Sequence, residues 1–135
     1  MSVKLFRVIL PVSDLDQAVK FYAAVLGMPG FQVSPGRHYF DCGGTILAVF
    51  SPRQDGDEIE LRPNPDHFYF AVEDLEATHK ACKKAGAKFA SGDVHGEAAG
   101  QIAKRPWGER SFYIHDPFGN PICFVDQSTL FTRPA

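Results

Sequence analysis

The chain has 135 residues, and 14 Lys plus Arg against 16 Asp plus Glu give it a formal net charge of −2. This balance leaves no broad basic face for contacts to phosphates, which argues against a nucleic-acid partner. The length suits one domain over residues 1–135, and no apolar run approaches the length of a membrane span, so we expect a soluble, cytoplasmic protein without a membrane partner.

The first strand and the first helix are visible in the spacing of apolar residues. The stretch VKLFRVILPV alternates and is rich in β-branched residues, which predicts a strand over residues 3–12. The next stretch, DLDQAVKFYAAVLG, has helical spacing, with Asp14 as the expected N-cap and Gly27 as the expected stop. Further along, DCGGTILAVF predicts a turn and a strand over residues 41–50.

The same order of elements returns in the second half of the chain. DHFYFAV at residues 66–72 predicts a strand, and Asp74 caps a second helix that Gly86 ends. DPFGNPICFV at residues 116–125 aligns without gaps on DCGGTILAVF. The chain therefore carries two copies of one strand–helix unit, and each copy ends in a turn and a strand.

The repeat predicts an α+β fold built from two βαβββ modules. Module 1 covers about residues 3–51 and module 2 about residues 66–126, with a Pro-, Asp- and Arg-rich linker over about residues 52–65. A module of this size buries too little apolar surface alone, so we expect the two modules to pair in one domain. Their sheet faces away from the helices would then line a cup enclosed by a curved mixed sheet.

Alternation along the strands predicts which side chains enter this cup. The residues expected to pack against the helices are Phe6, Val8, Leu10, Phe68, Phe70, Val72, Ile122 and Phe124. The residues expected to face the cup are Arg7, Ile9, Ala48, His67, Tyr69 and Cys123. In the internal alignment, Arg7 lies on His67 and Ala48 lies on Cys123.

Three stretches together resemble the glyoxalase, bleomycin-resistance and dioxygenase superfamily, also called vicinal oxygen chelate proteins. They are LPVSDLDQAVKFYAAVLGM, HFYFAVEDLEA and RPWGERSFYIHDPFGNPICF, and the resemblance runs from about Lys4 to Asp126. It implies a homodimer, because members commonly complete or bury their cups across a subunit interface. Leu130 and Phe131 in the C-terminal tail are candidates for that interface, although tails of this kind also fray.

The resemblance also implies a test for a metal site. In metal-dependent members a divalent cation is held by side chains, usually His, Gln or Glu, at positions that correspond here to Arg7, Ala48, His67 and Cys123. Only His67 is a usual ligand, since Ala48 has no donor atom and the guanidinium of Arg7 has no lone pair to give. The residues that could complete a zinc site beside His67 and Cys123 are His38, His115 and Asp41. A catalytic metal needs about three protein ligands, so we predict no metal cofactor.

Arg7, His67 and Cys123 are the candidate catalytic residues. A guanidinium within an apolar strand needs an anionic partner, which is either an internal carboxylate, Asp41 or Glu58, or an oxygen of a bound ligand. His67 is either an ordinary hydrogen-bonded histidine or an acid–base group beside Arg7. Cys123 is either a nucleophile activated by these two neighbours or, the interpretation we favour, a small buried filler.

The other candidates are polar or aromatic residues placed near the predicted cup. Ser111 and Tyr113 share one parity of the strand RSFYIHD, which the resemblance places on the cup side. Trp107 ends the long Gly-rich loop SGDVHGEAAGQIAKRPWG, and it either stacks on a ligand or anchors the loop. The predicted ligand-binding set is Arg7, His67, Tyr69, Trp107, Ser111, Tyr113 and Cys123.

These observations predict a metal-independent protein that binds a small organic molecule, anionic or enolisable, in the cup. The alternative is a metal-dependent, glyoxalase-type lyase or isomerase, in which a metal or Arg7 stabilises an oxyanion while His67 moves a proton. The three cysteines, Cys42, Cys82 and Cys123, show no paired spacing, and we expect all of them to be free thiols.

Overall fold

The computed structural model describes residues 2–131. The chain divides into two compact units, Met1–Asn64 and Pro65–Ala135, and each unit contains one longer helix and a mixed sheet. This is the α+β composition that the repeated strand–helix order predicts. Within residues 2–131, no helix is long and apolar enough to cross a membrane.

The first unit contains a four-stranded sheet covered on one side by a helix. Its elements are β1 (Arg7–Pro11), α1 (Leu15–Leu26), β2 (Phe31–Ser34), β3 (Arg37–Cys42), β4 (Thr45–Phe50) and a 3₁₀ turn (Pro52–Asp55). The strand order is β1-β4-β3-β2, with β1 parallel to β4 and the other two pairs antiparallel. β1 and β2 are therefore the edge strands of this sheet.

Local sequence sets the ends of α1. The Asp14 side chain accepts a hydrogen bond of 3.1 Å from the N–H of Gln17, and Gly27 closes the helix in the left-handed conformation at φ 70°. The N–H of Leu15 donates to Oε1 of Gln54 at 2.8 Å, which ties the helix start to the 3₁₀ turn. The buried face of α1 consists of Leu15, Ala18, Phe21, Tyr22 and Val25.

The second unit repeats the plan with additional short strands. Its elements are β5 (Phe68–Val72), α2 (Leu75–Lys84), β6 (Lys88–Phe89), β7 (Asp93–Val94), β8 (Glu97–Ala98), β9 (Ala103–Lys104), β10 (Arg110–His115), β11 (Pro121–Asp126) and a 3₁₀ turn (Gln127–Thr129). The sheet order is β5-β11-β10-β6, with β5 parallel to β11 and β9 also paired with β10, while β7 and β8 form a separate hairpin. Asp74 caps α2 by accepting from the N–H of Ala77 at 3.0 Å.

The side chains predicted to pack against the helices are buried or half-buried, with one exception. Leu10, Ile122 and Phe124 are fully buried, as the alternation predicts, and Val8, Phe68, Phe70 and Val72 are half-buried. Phe6 is 57% exposed, so its predicted place in the core is wrong. The reason is that β1 begins only at Arg7, whereas the sequence predicts a strand from residue 3.

Candidate functional site

In the first unit, Arg7 lies on the sheet face opposite α1. Register pairs Ile9 with Ala48 and Ala48 with Tyr39, and strand alternation places Arg7 on the same face as these three residues. Ala48 is fully buried, whereas Arg7 and Ile9 are exposed. The same alternation places Arg37 on this face, but Arg37 is paired with Asp55. The face therefore combines the exposed guanidinium of Arg7 with aliphatic and aromatic surface.

The guanidinium of Arg7 is held by aromatic rings. Its central carbon lies 5.0 Å from the ring centroid of Phe6 and 5.8 Å from that of Tyr39, and Nη1 donates a long hydrogen bond of 3.4 Å to the Tyr39 hydroxyl. None of the ion pairs within residues 2–131 includes Arg7.

Of the two alternatives for the anionic partner of Arg7, the ion pair with an internal carboxylate is not formed within residues 2–131. Neither Asp41 nor Glu58 forms it, and an Asp41 carboxylate oxygen instead accepts from the N–H of Gly44 at 2.7 Å. The expectation rested on a buried guanidinium, but Arg7 lies on an edge strand and is exposed, so no internal anion is needed.

In the second unit, Cys123 lies between two tyrosines in the sheet. Register places it opposite Tyr69 of β5 and Tyr113 of β10, and it packs in a buried cluster with Ala99, Tyr113 and Val125. The side chain is 0% exposed, and burial raises the pKa of its thiol to about 11 despite hydrogen bonds that act in the opposite direction. Very little thiolate exists near neutral pH, which is the environment of an inert thiol and not of a nucleophile.

His67 stands directly before β5, between the rings of two tyrosines. Its ring centroid lies 5.1 Å from that of Tyr113, edge to face, and 6.1 Å from that of Tyr69. Burial lowers the pKa of His67, repulsion from His115 lowers it further, and Asp66 opposes both effects. The imidazole is therefore neutral at physiological pH and able to donate or accept one hydrogen bond.

The predicted ligand-binding residues divide by exposure. Those open to solvent or half-buried are Arg7, His67, Tyr69 and Trp107. Those buried are Ser111, Tyr113 and Cys123. Trp107 is half-exposed, and its ring centroid lies 5.9 Å from that of His95. Because His95 belongs to the same loop, part of the Trp107 ring packs within that loop.

Sequence reasoning missed Arg105, which is only 2% exposed. Its guanidinium lies 5.3 Å from the ring centroid of Tyr113 and donates to backbone carbonyl oxygens and to Ser111. A single arginine in a polar, Gly-rich loop has the sequence signature of an exposed side chain, so no local signal distinguishes it.

A cleft of about 280 Å³ lies elsewhere in the first unit. It is lined by Val12, Ser13, Ser51, Pro52, Arg53, Ile59, Glu60 and Leu61. None of these residues belongs to the predicted ligand-binding set, so the cleft and the face that carries Arg7 are separate features of this unit.

Residues 4–124 match the family model of the Glyoxalase/Bleomycin resistance protein/Dioxygenase superfamily. The chain belongs to this superfamily. It is also similar to the metallothiol transferase FosB of Shouchella clausii (strain KSM-K16), with 31% identity over 126 residues that cover 92% of this chain and 80% of that relative.

Solved structures agree with the fold. A glyoxalase-related enzyme from Fulvimarina pelagi superposes with a TM-score of 0.71 at 17% identity, over 91% of this chain and 87% of that chain. Lactoylglutathione lyase from Agrobacterium tumefaciens gives a TM-score of 0.65 at 22% identity, over 93% of this chain and 94% of that one. The predicted family and fold class are both confirmed.

The residues at the superfamily's metal-binding positions do not fit a cation. Arg7 carries a permanent positive charge and Ala48 has no donor atom, so two of the four positions offer nothing to a metal. His67 is the one usual ligand of the superfamily among them, and His67 with Cys123 would supply fewer than the about three protein ligands of a catalytic metal.

Two of the residues expected to complete a zinc site, His38 and Asp41, are engaged in hydrogen bonds. The ring nitrogens of His38 contact Oε1 of Gln32 at 3.1 Å and the carbonyl oxygen of Pro29 at 2.8 Å, and Asp41 accepts from Gly44. In the part of the chain that the structure describes, no group of three or more His, Cys, Asp or Glu side chains could hold a metal ion.

Proposed function

We propose that the protein binds a small anionic organic molecule without a metal ion, and that Arg7 receives the anion. The observation that carries this proposal is the exposed guanidinium of Arg7, held between the rings of Phe6 and Tyr39 without a carboxylate partner in residues 2–131. A planar guanidinium binds a carboxylate or phosphonate through paired N–H donors, and here most of those donors are free.

The surroundings of Arg7 favour a ligand with an apolar body. The rings of Phe6 and Tyr39 orient the guanidinium of Arg7 without neutralising its charge. Because the Arg7 side chain is already ordered, it loses less conformational entropy when an anion binds. Ile9 on the same face is 45% exposed, and together with the Tyr39 ring it offers apolar surface next to the cation. A flat aromatic acid combines the two properties that this face recognises.

In the second unit, His67 and Tyr69 offer polar groups on exposed or half-buried side chains. The neutral imidazole and the phenolic hydroxyl supply hydrogen bonds without adding charge. Within the second unit we propose His67, Tyr69 and Trp107 as ligand-contacting side chains, whereas Ser111, Tyr113 and Cys123 are buried and support the sheet.

The alternative function is that of a metal-dependent lyase, isomerase or transferase of the superfamily. The 31% identity to a metallothiol transferase favours it. The chemistry of Arg7 and Ala48 opposes it, because a guanidinium and a methyl group have no lone pair to give and leave two of the four positions without a ligand. We therefore place metal-independent binding first.

Calorimetric titration with benzoate and with benzamide tests the proposal, because the two probes share a ring and differ in charge. Benzoate should bind the wild type at least about tenfold more tightly than benzamide, the equivalent of one charge-assisted pair. Arg7→Gln should remove this preference, whereas Arg62→Gln should retain it, because Arg62 lies exposed in a pair with Glu60.

Two results would overturn the proposal. The first is a benzoate preference that survives Arg7→Gln unchanged, which would remove Arg7 from the site. The second is elemental analysis that finds close to one equivalent of a divalent metal per chain after dialysis, which would favour the enzymatic alternative.

We also propose that the protein is a homodimer in a reducing compartment such as the cytoplasm. Phe31 and Val33 are exposed on the edge strand β2, and Leu130 and Phe131 are exposed near the C-terminus, so apolar surface is available for a second copy. The three cysteines are unpaired, which supports a reducing compartment. Sedimentation analysis that finds only monomers at micromolar concentration would contradict the dimer.

A further inference from the structure

Arg105 is a buried cation for which residues 2–131 provide no counter-anion. Its side chain is 2% exposed, and none of the ion pairs formed by residues 2–131 includes it. Burial of an unpaired charge is costly, and fully buried arginines normally pair with a carboxylate. The groups that contact the Arg105 guanidinium in place of a carboxylate therefore indicate its role.

Backbone carbonyl oxygens surround the Arg105 guanidinium. On one side it donates to the carbonyls of Ala98 at 3.5 Å, Ala99 at 3.3 Å and Gln101 at 2.9 Å. On the other side it donates to the carbonyl of Ser111 at 2.9 Å and to the Ser111 hydroxyl at 3.2 Å. One side chain thus connects the segment of residues 90–101, the strap, to strand β10.

The strap lies against the face of the sheet that contains Cys123. Ala99 packs in one cluster with Tyr113 and Cys123, and Ala90 and Val94 pack against that cluster. The backbone adds two hydrogen bonds, from the N–H of Tyr113 to the carbonyl of Ala99 at 2.9 Å and from the N–H of Ala90 to the carbonyl of Tyr113 at 3.0 Å.

The packing within the strap is close enough to require a glycine. A Cβ added at Gly100 would lie 2.9 Å from the carbonyl oxygen of Ala90 and 2.9 Å from Cβ of Phe89. The two ends of the strap therefore touch each other while the middle forms the β7–β8 hairpin. Such an arrangement can move away from the sheet as one piece once its attachments to β10 and the 3.2 Å hydrogen bond between His79 of α2 and the Gly100 carbonyl are released.

We propose that Arg105 is a positioning residue that latches the strap over Cys123 and Tyr113, so that opening of this latch controls the access of small molecules to the buried sheet face that these two side chains share. Three of the oxygens around the guanidinium belong to the strap, and strap opening removes them together. The hydrogen bonds from this charged donor to the strap form only in the closed state, and they therefore favour it over the open state. This inference does not depend on the anion proposed at Arg7.

The test measures how fast iodoacetamide modifies Cys123 in the native protein, with each cysteine quantified in its own peptide by mass spectrometry. In the wild type, modification should be slow and should show little urea dependence at low urea, as expected for a local opening that exposes little surface. Arg105→Met removes the charge and retains the aliphatic stem. It should accelerate modification by at least about tenfold while that weak urea dependence persists.

Arg110→Met is the matched control. Arg110 lies in the same unit and pairs with Glu76 and Asp126, but it makes no hydrogen bond to the strap. Its replacement should alter modification of Cys123 only as far as it alters global unfolding. Chemical rescue gives a readout that is specific to the latch. In Arg105→Ala, added ethylguanidinium can replace the missing cationic group and should slow the modification of Cys123 by iodoacetamide. Ethylurea carries no charge and should not slow it.

The proposal fails if Arg105→Met folds and Cys123 is modified at the wild-type rate. It also fails if the acceleration carries the full urea dependence of global unfolding, since Arg105 would then contribute stability only. If Arg105→Met does not fold, the urea dependence measured on the wild type tests the proposal. A rate of Cys123 modification that follows global unfolding at every urea concentration would show that the strap does not open separately, and would overturn the proposal.

Discussion

Raising the pH from about 8 to about 10 should destabilise the protein through two buried thiols. Cys82 and Cys123 are both 0% exposed, and burial raises the pKa of Cys82 to about 12 and that of Cys123 to about 11, from an ordinary value of 9.0. A thiol whose pKa is raised by folding keeps its proton in the folded state and loses it first in the unfolded chain. Its contribution to stability is complete below the unfolded pKa and disappears as the pH rises toward the folded pKa.

The size of the effect follows from these pKa values. At about pH 10 a thiol with the ordinary pKa is about nine-tenths ionised in the unfolded chain, whereas both buried thiols remain largely protonated in the folded state. Linkage then lowers the free energy of unfolding by roughly 1 kcal/mol for each thiol, or about 2–3 kcal/mol for the pair, relative to about pH 8. Both groups are shielded from water, so solvent screening does not reduce this figure as it would at the surface.

Urea denaturation at the two pH values measures the change, and the double variant Cys82→Ala, Cys123→Ala isolates the thiols. Lysines and tyrosines also begin to titrate in this range, but their contribution is common to both proteins. The wild type should lose about 2–3 kcal/mol more than the double variant between the two pH values. Equal losses in the two proteins would show that the thiols are not held neutral by burial, and would reopen a role for Cys123 as a thiolate.

Three substitutions test individual contacts by urea denaturation. Asp55→Ala should cost about 3 kcal/mol, because the largely buried carboxylate accepts from the N–H of Gly36 and pairs with Arg37, and a loss close to zero would refute that network. Gly100→Ala should cost about 1–3 kcal/mol through the clash with Ala90, and an unchanged midpoint would refute the tight packing of the strap. Asp74→Ala should cost about 1 kcal/mol as a lost N-cap, and Asp74→Ser should restore most of it if capping is the cause.

The periodic and repeated features of the sequence predicted the fold well. Asp14 and Asp74 cap the two helices as expected, and the turns that precede β4 and β11 occur where the internal alignment places them. Cys42, Cys82 and Cys123 are free, as their spacing predicts. These features depend on hydrogen bonds and alternation within a few residues, which one sequence is enough to reveal.

Prediction of the site was less complete, because the sequence shows the chemical type of each side chain but not its exposure or its neighbours. The mismatch of Arg7 and Ala48 with a metal site follows from the side chains themselves, so residue identity alone is enough to recognise it. The environment of Arg7 was misjudged, since an apolar strand suggested burial and the strand proved to be an exposed edge.

The sequence by itself thus determined the strand–helix repeat, the helix caps, the family and the absence of a full set of metal-ligand side chains at the four matching positions. Only the tertiary structure decided which of the candidate residues meet solvent, and it alone revealed that Arg105 ties the strap to β10 above Cys123. The physical reason is that burial and charge compensation are produced by segments far apart in the chain or by irregular loops. Such contacts leave no period or spacing in the sequence.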